Sequence, residues 1–388
     1  MVVSYFADRI LKYDTNTGPK TYKVTGGVPQ GSVLGPLLWN IMYNGLLKLE
    51  LPKEVQLVAY ADDVAVVISH WMNTVGLQLA EHKTEAVLIS SRKRLETITL
   101  QVGAHEITSQ PSIRYLGVVI DARLNFKQQA QHVGAKASVV RATLSRLMPN
   151  IGGPKQRRRA LLTSVVTSIL TYGIPIWADA LKIQEARRKI APVYRLSALR
   201  IASAFRTVSD DAVNVIAGML PIEILAEERK ALYHRKVTTK LSPEELGKEE
   251  RLNSVRRWQS KWDTSTKGRW TYRLIPQVDV WLNRDYGEVN YYLTQMISGH
   301  GCYRAYLYKY KHDVSPMCPS CPGVSEDAEH VFFACPRFDT LRSTWAEALA
   351  KEIQPESLIY AMLSSETAWQ ATSAFATEVL QELHADKQ

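Results

Sequence analysis

The chain has 388 residues, enough for two or three domains, and 46% of them are hydrophobic, which suits globular cores and excludes a wholly disordered protein. Only 4 cysteines and no signal peptide predict a reducing intracellular setting, nuclear or cytoplasmic, and exclude a disulfide framework and secretion. The net charge of +10 fits a polyanionic partner, because lysine and arginine release counterions from phosphate backbones.

The first carboxylates are Asp8, in Ala7-Asp8-Arg9, and Asp14, in a Tyr13-Asp14-Thr15-Asn16-Thr17-Gly18-Pro19 run that reads as a turn. Next comes Gly26-Gly27-Val28-Pro29-Gln30-Gly31-Ser32-Val33-Leu34-Gly35-Pro36, whose glycines and prolines demand special backbone geometry and let a planar ligand or a sugar approach the main chain. Ser32 suits a helix N-cap, with Leu34, Leu38, Ile41, Met42 and Leu46 on one apolar face. The run from Val55 to Ser69 then sets Tyr60-Ala61-Asp62-Asp63 between two apolar segments of strand length. That pattern predicts a tight hairpin with an acidic tip. Two adjacent carboxylates repel unless a cation neutralises them, and a divalent ion does this best.

Two further motifs follow in order: Gly76-Leu77-Gln78-Leu79-Ala80-Glu81-His82-Lys83-Thr84-Glu85 and Ile113-Arg114-Tyr115-Leu116-Gly117-Val118-Val119-Ile120-Asp121. Together these four segments resemble the palm of a reverse transcriptase, in wording closest to the non-LTR retrotransposons of arthropods that insert into ribosomal DNA. The resemblance implies RNA-directed DNA polymerisation on an RNA template and a DNA primer or target, with two magnesium ions aligning the primer hydroxyl and the nucleotide triphosphate. It implies that Pro29, Gln30, Gly31 and Tyr60 position template and nucleotide, and that Asp62 and Asp63 hold magnesium. Lys83 would neutralise or protonate pyrophosphate, and Tyr115, Leu116 and Gly117 would grip the primer. The family also carries a third carboxylate on an earlier palm strand, and neither Asp8 nor Asp14 stands in a strand-like apolar run. Between Ser69 and Gly76 there is no room for the helix the family carries there. The resemblance therefore predicts a truncated, internally deleted fragment, inactive alone. The alternative is a non-catalytic nucleic-acid-binding remnant of a retrotransposon polyprotein.

Beyond Asp121 the spacing turns helical. Ala130, Val133, Ala137, Val140, Leu144 and Leu147 form one stripe, ended by Gly152-Gly153-Pro154. Lys155, Arg157, Arg158 and Arg159 open the next helix, where cations oppose the macrodipole; either they face an anion or they form a solvated turn. Ala160–Ala178 approaches the length of a membrane span, but its Ser, Thr, Tyr, Gly and Pro residues predict a buried helix ending near Tyr172-Gly173. A further helix is expected over Leu181–Phe205, interrupted at Pro192, and another after Pro221. Residues 242–267 are charge-dense and apolar-poor and read as a linker or exposed helix. The tryptophans around them, Trp258, Trp262 and Trp270, either anchor a core or stack on nucleotides.

Near the end, Cys318-x2-Cys321-x8-His330-x4-Cys335 offers three thiols and an imidazole at a spacing that can close a tetrahedron around zinc. His300 and His312 are less favoured ligands, and Cys302 stands apart. The sequence as a whole predicts an α+β chain: a partial palm at 1–122, a helical thumb-like region at 123–240, a charged linker at 241–275, and a helical C-terminus with a zinc knuckle at 276–388. Other parts of the retrotransposon polyprotein are possible partners, and no membrane is expected.

Overall fold

A computed structural model describes residues 10–15, 18–23, 59–60, 63–64, 83–90, 97–102, 104–350 and 353–386. Small antiparallel hairpins precede a long helical region, an α+β arrangement. The chain divides into two compact units, Met1–Ala86 with Thr97–Gln110, and Val87–Glu96 with Pro111–Gln388.

In the first unit, β1 (Ile10–Thr15) pairs with β2 (Gly18–Lys23), Thr15 opposite Gly18. Gly18 takes φ +106°, which side chains avoid, and the Thr15 hydroxyl donates to its carbonyl at 2.7 Å. Asp14, expected in a turn, instead lies in β1 opposite Pro19. The reversal lies between Thr15 and Gly18, within the run that reads as a turn. β3 (Ala59–Tyr60) pairs with β4 (Asp63–Val64), and β5 (Thr99–Val102) with β6 (His105–Thr108).

In the second unit, β7 (Ser112–Tyr115) and β8 (Val118–Asp121) form a hairpin leading into α1 (Lys127–Ser145). The buried Asp121 carboxylate accepts N–H bonds from Arg123 (3.1 Å) and Phe126 (2.7 Å), tying the strand end to the helix start. α1 packs on α2 (Gln156–Leu170) and α3 (Gln184–Ala202) through Ala130, Val133 and Ala137. A Cβ on Gly134 would lie 2.7 Å from the Lys189 carbonyl, so the glycine permits the close approach of α1 and α3.

Contrary to the expected break, α3 runs through Pro192. The proline sits on the exposed face, where water can satisfy the freed Arg188 carbonyl. Ala186, Ile190, Val193, Tyr194 and Ser197 hold the helix from the other side. No single described helix is long and apolar enough to cross a membrane, and the apolar run bends by 55° between Gln156–Leu170 and Ile174–Lys182.

α4 (Asp210–Ala217) and α5 (Ile222–Thr238) follow, and then α6 (Pro243–Thr264) occupies the segment read as a linker or exposed helix. A capping box starts α6: Glu245 N–H donates to the Ser242 hydroxyl (3.2 Å), and Ser242 N–H donates to the Glu245 carboxylate (2.9 Å). Its buried residues, Leu246, Glu250, Ser254, Trp258 and Trp262, recur every fourth position. Because four residues turn through about 400°, the row winds around the helix. It meets α5 first, through the Glu250–Arg235 ion pair, and the segment after α6 last, where the Trp262 indole donates to the Ile275 carbonyl at 2.9 Å. The tryptophans are therefore core, and stacking of Trp258 or Trp262 on a nucleotide is excluded. α7 (Tyr291–Ser298), α8 (Asp339–Leu349) and α9 (Glu366–Ala385) complete the unit.

Candidate functional site

Of the polymerase-motif residues, Pro29, Gln30, Gly31 and Asp62 lie outside the described residues. Tyr60 and Asp63 stand opposite each other in the β3–β4 ladder, so the backbone register around the acidic pair is that of a hairpin. Lys83 is exposed.

The Tyr115-Leu116-Gly117 segment is the tip of the β7–β8 hairpin. Leu116 (φ 46°) and Gly117 (φ 80°) both take positive φ, which is the two-residue connection whose twist matches the strands. A Cβ on Gly117 would stand 3.0 Å from the Tyr172 ring, and the Tyr172 hydroxyl donates to the Leu116 carbonyl at 3.0 Å. The tip is thus braced from beneath by the turn after α2. Nothing in the sequence pattern pointed to Tyr172.

Of the basic start of α2, Arg159 alone turns inward. Arg159 is buried and donates to the carbonyls of Pro154 (2.6 Å), Pro149 (2.5 Å) and Arg200 (3.1 Å). Arg157 meets Glu288 and the Asp285 carbonyl. Lys155, Arg157 and Arg158 stay exposed.

Cys318, Cys321, His330 and Cys335 converge, their ligand atoms all within 4.8 Å of one another. Cys318 Sγ and Cys335 Sγ are 3.8 Å apart, and Cys321 Sγ and Cys335 Sγ 4.0 Å. These are no disulfides, whose sulfurs lie about 2.05 Å apart. Zinc–sulfur bonds of about 2.3 Å in a tetrahedron put the sulfurs ~3.8 Å apart, which is what the cluster shows.

Local backbone explains the convergence. Cys318 N–H donates to the Val324 carbonyl (2.8 Å) and Val324 N–H to the Cys321 carbonyl (3.1 Å), folding the first pair into a tight knuckle. In an α-helix, residues five apart point about 140° away from each other. Here Cys335 N–H closes instead on the His330 carbonyl at 2.7 Å, a wider turn that returns Cys335 beside His330. Asp327 accepts the His330 N–H at 2.9 Å, and Arg342 holds the carbonyls of Phe332 (3.1 Å) and Cys335 (2.6 Å). Asp327 and Arg342 had no recognisable signature in the sequence.

The donors fit a cation. His330 Nε2 is buried without a hydrogen-bond partner. Burial pushes the Cys335 thiol up to about 12 and raises that of Cys321, so a positive ion is what these sulfurs need to become thiolates. With four protein donors the site is closed, as structural metal sites are. His300 lies elsewhere, 2.9 Å from the Thr207 hydroxyl through Nδ1, and Cys302 Sγ is 3.6 Å from His384 Nδ1.

Residues 2–120 match the family described as reverse transcriptase (RNA-dependent DNA polymerase). The chain is 27% identical, over 88% of its own length, to the "Retrovirus-related Pol polyprotein from type-1 retrotransposable element R1" of Bradysia coprophila. It is 26% identical over 97% of its length to the "Putative 115 kDa protein in type-1 retrotransposable element R1DM" of Drosophila melanogaster. The chain is thus similar to a reverse transcriptase over residues 2–120, and to the Pol polyproteins of R1-type retrotransposable elements over most of its length. A second R1 Pol polyprotein, from Nasonia vitripennis, is 27% identical over 82% of the chain and 87% of its own length. The chain spans 37% and 40% of the Bradysia and Drosophila relatives. No solved structure matches it.

Proposed function

We propose that this chain is the part of an R1-type Pol polyprotein that carries the end of the polymerase palm, and that it acts in RNA-directed DNA synthesis. The observation that carries this reading is the family match over residues 2–120, which takes in both the Gly26–Pro36 loop and the Tyr60–Asp63 hairpin. Asp62 and Asp63 would hold divalent ions, which when bound stabilise the attacking and leaving oxygens of nucleotidyl transfer. Pro29, Gln30, Gly31 and Tyr60 would position template and nucleotide. Lys83 would meet the pyrophosphate, and the braced tip at Tyr115–Gly117 would support the primer strand. Residues 1–122 are proposed as palm and 123–240 as thumb. The helix at Pro243–Thr264 would join the thumb to a C-terminal region, 276–388, whose four donors hold zinc. An RNA template, a DNA primer or target, other parts of the polyprotein, and a nuclear or cytoplasmic setting belong to the same reading.

Primer extension on an RNA template with magnesium tests it. Template-dependent extension abolished by Asp62→Ala supports catalysis by this chain. A second reading, a nucleic-acid-binding polypeptide without catalysis, draws on the net charge of +10, which suits a polyanionic partner whether or not synthesis follows. Salt-dependent binding to primer–template without extension supports that second reading, and absence of both activities refutes each.

A further inference from the structure

One corner of the second unit combines cations with clustered, partly open rings, and nothing in the polymerase motifs uses it. Phe205, just after α3, lies 5.8 Å from Tyr291 and 5.9 Å from Tyr306 between ring centroids. All three rings are only partly buried, and the Thr207 hydroxyl, 2.6 Å from the Tyr306 hydroxyl and 2.9 Å from His300 Nδ1, fixes their edge. The Arg206 backbone is pinned by Arg195, which donates to its carbonyl at 2.5 Å, while the Arg206 side chain is exposed.

The charges of Arg200 and Arg206, after burial, hold the Arg141 guanidinium below its usual range, so the three cations act on one another. Arg141 Nε is buried without a hydrogen-bond partner, and Arg200 reaches only the Met148 carbonyl and Asn150 Oδ1 (3.4 and 3.3 Å). Among the described residues no carboxylate pairs with Arg141, Arg200 or Arg206, although ion pairs are plentiful elsewhere in the unit. Three arginines gathered without a counter-charge are costly unless an anion joins them. Aromatic faces beside arginines are what an unpaired base and its phosphate require.

The geometry points to a binding face for single-stranded nucleic acid, with Phe205, Tyr291 and Tyr306 as the base platform and Arg141, Arg200 and Arg206 as the phosphate clamp. It rests on the reading that this chain handles nucleic acid, and adds to it a place for a strand that is not paired. RNA and single-stranded DNA share this chemistry, so both serve as probes.

Fluorescence anisotropy of the full chain would use labelled dodecauridylate, labelled dodecathymidylate and a labelled blunt 12-base-pair duplex, each at several salt concentrations. Each phosphate contact on a single strand contributes about 0.7 to the slope of log affinity against log salt. Arg206→Ala should therefore lower that slope by about 0.7 and weaken binding about fivefold at 0.1 M salt. Tyr306→Leu should weaken binding by roughly 5- to 150-fold, the range of one lost stacking contact, with the slope unchanged. Lys248→Ala, a surface change on α6, should alter neither beyond the general effect of one charge. A preference for either oligonucleotide supports the face and names the strand. Wild-type affinity in both Arg206→Ala and Tyr306→Leu overturns the face but leaves the polymerase reading standing. Should Tyr306→Leu not fold, an unchanged slope in Arg206→Ala alone overturns it. A wild-type chain that binds neither oligonucleotide at low salt, yet binds the duplex, also overturns it. Failure to bind any of the three removes the underlying reading as well.

Discussion

Zinc removal is the sharpest perturbation the structure suggests. Stripping the ion from Cys318, Cys321, His330 and Cys335 leaves the buried His330 Nε2 without a partner and the sulfurs crowded at 3.8–4.0 Å. The loop they hold is not free-standing. Phe332 is fully buried, 6.1 Å from Tyr303 and 5.9 Å from Phe375 of α9, and Phe333 lies 6.2 Å from both Trp270 and Trp345. Release of the metal should therefore loosen the packing of α8 and α9 along with the loop. An ion binding only the folded state stabilises it by about 4 kcal/mol when free metal exceeds Kd a thousandfold. At roughly 2–4 °C per kcal/mol for a unit of this size, the melting temperature should fall by about 8–16 °C on chelation. Calorimetry with and without a zinc chelator, alongside elemental analysis of freshly purified protein, reads both quantities. One zinc per chain is expected, with Cys335→Ser reproducing the chelated melting curve. Protein that contains no zinc, or that melts at one temperature with and without added metal, refutes the reasoning.

Three further outcomes are expected. Trp262→Phe keeps an aromatic ring but orphans the buried Ile275 carbonyl, so urea unfolding should show a loss of about 1–3 kcal/mol; an exposed linker tryptophan would show none. Gly287→Ala must place a Cβ at φ +87° and 2.2 Å from the Trp369 ring, so a loss of about 2–4 kcal/mol is expected, with a shift in tryptophan emission as the Trp281–Trp369 pair moves apart. Burial, helped by Lys309, pushes His300 down to about 4. Its folded pKa lies below its unfolded one, so stability falls as pH drops from about 6.5 to 4. The loss is on the order of 1–2 kcal/mol after allowance for solvent, and should be absent in His300→Gln. An NMR titration of the His300 ring near its ordinary value would refute that assignment.

The helices were legible wherever burial follows a broad apolar stripe. α1 shows this: Ala130, Val133 and Ala137 are buried as their spacing predicts, while Leu147, in the turn past the helix end, is 59% exposed. α6 was legible only as one of two readings, a linker or an exposed helix, and its burial stayed hidden because the buried row carries only three apolar residues, Leu246, Trp258 and Trp262. Glu250, paired with Arg235, and the small Ser254 fill the remainder. Two tryptophan rings cover the area that several aliphatic side chains usually supply, so the composition of a linker conceals a core helix. Pro192 misled for a related reason, since the face a proline occupies is invisible in the sequence and decides whether its lost bond is solvated. The convergence of Cys318, Cys321, His330 and Cys335 was legible, because their spacing is set by local turns rather than by distant packing. The braces of the Tyr115–Gly117 tip and of the donor loop were not, since Tyr172 and Arg342 act through single contacts with backbone carbonyls.

This contrast bears on how the C-terminal region can work. A metal loop with its own small core could move independently of the helices around it, as a tethered module does. Here Arg342 of α8 donates to the Phe332 and Cys335 carbonyls, Arg273 pairs with Glu329 and with Glu356, and Arg337 reaches Glu382 at 2.7 Å. Individually the exposed pairs contribute little. They nevertheless bracket the loop on three sides, and Phe332 fixes it from beneath. α7 meanwhile packs against both α4 and α9. A strand gripped near Phe205 and Tyr291 would thus be held by the same packed unit as the four candidate donors. Loss of the metal should then weaken strand binding even though no donor of the cluster belongs to the proposed face.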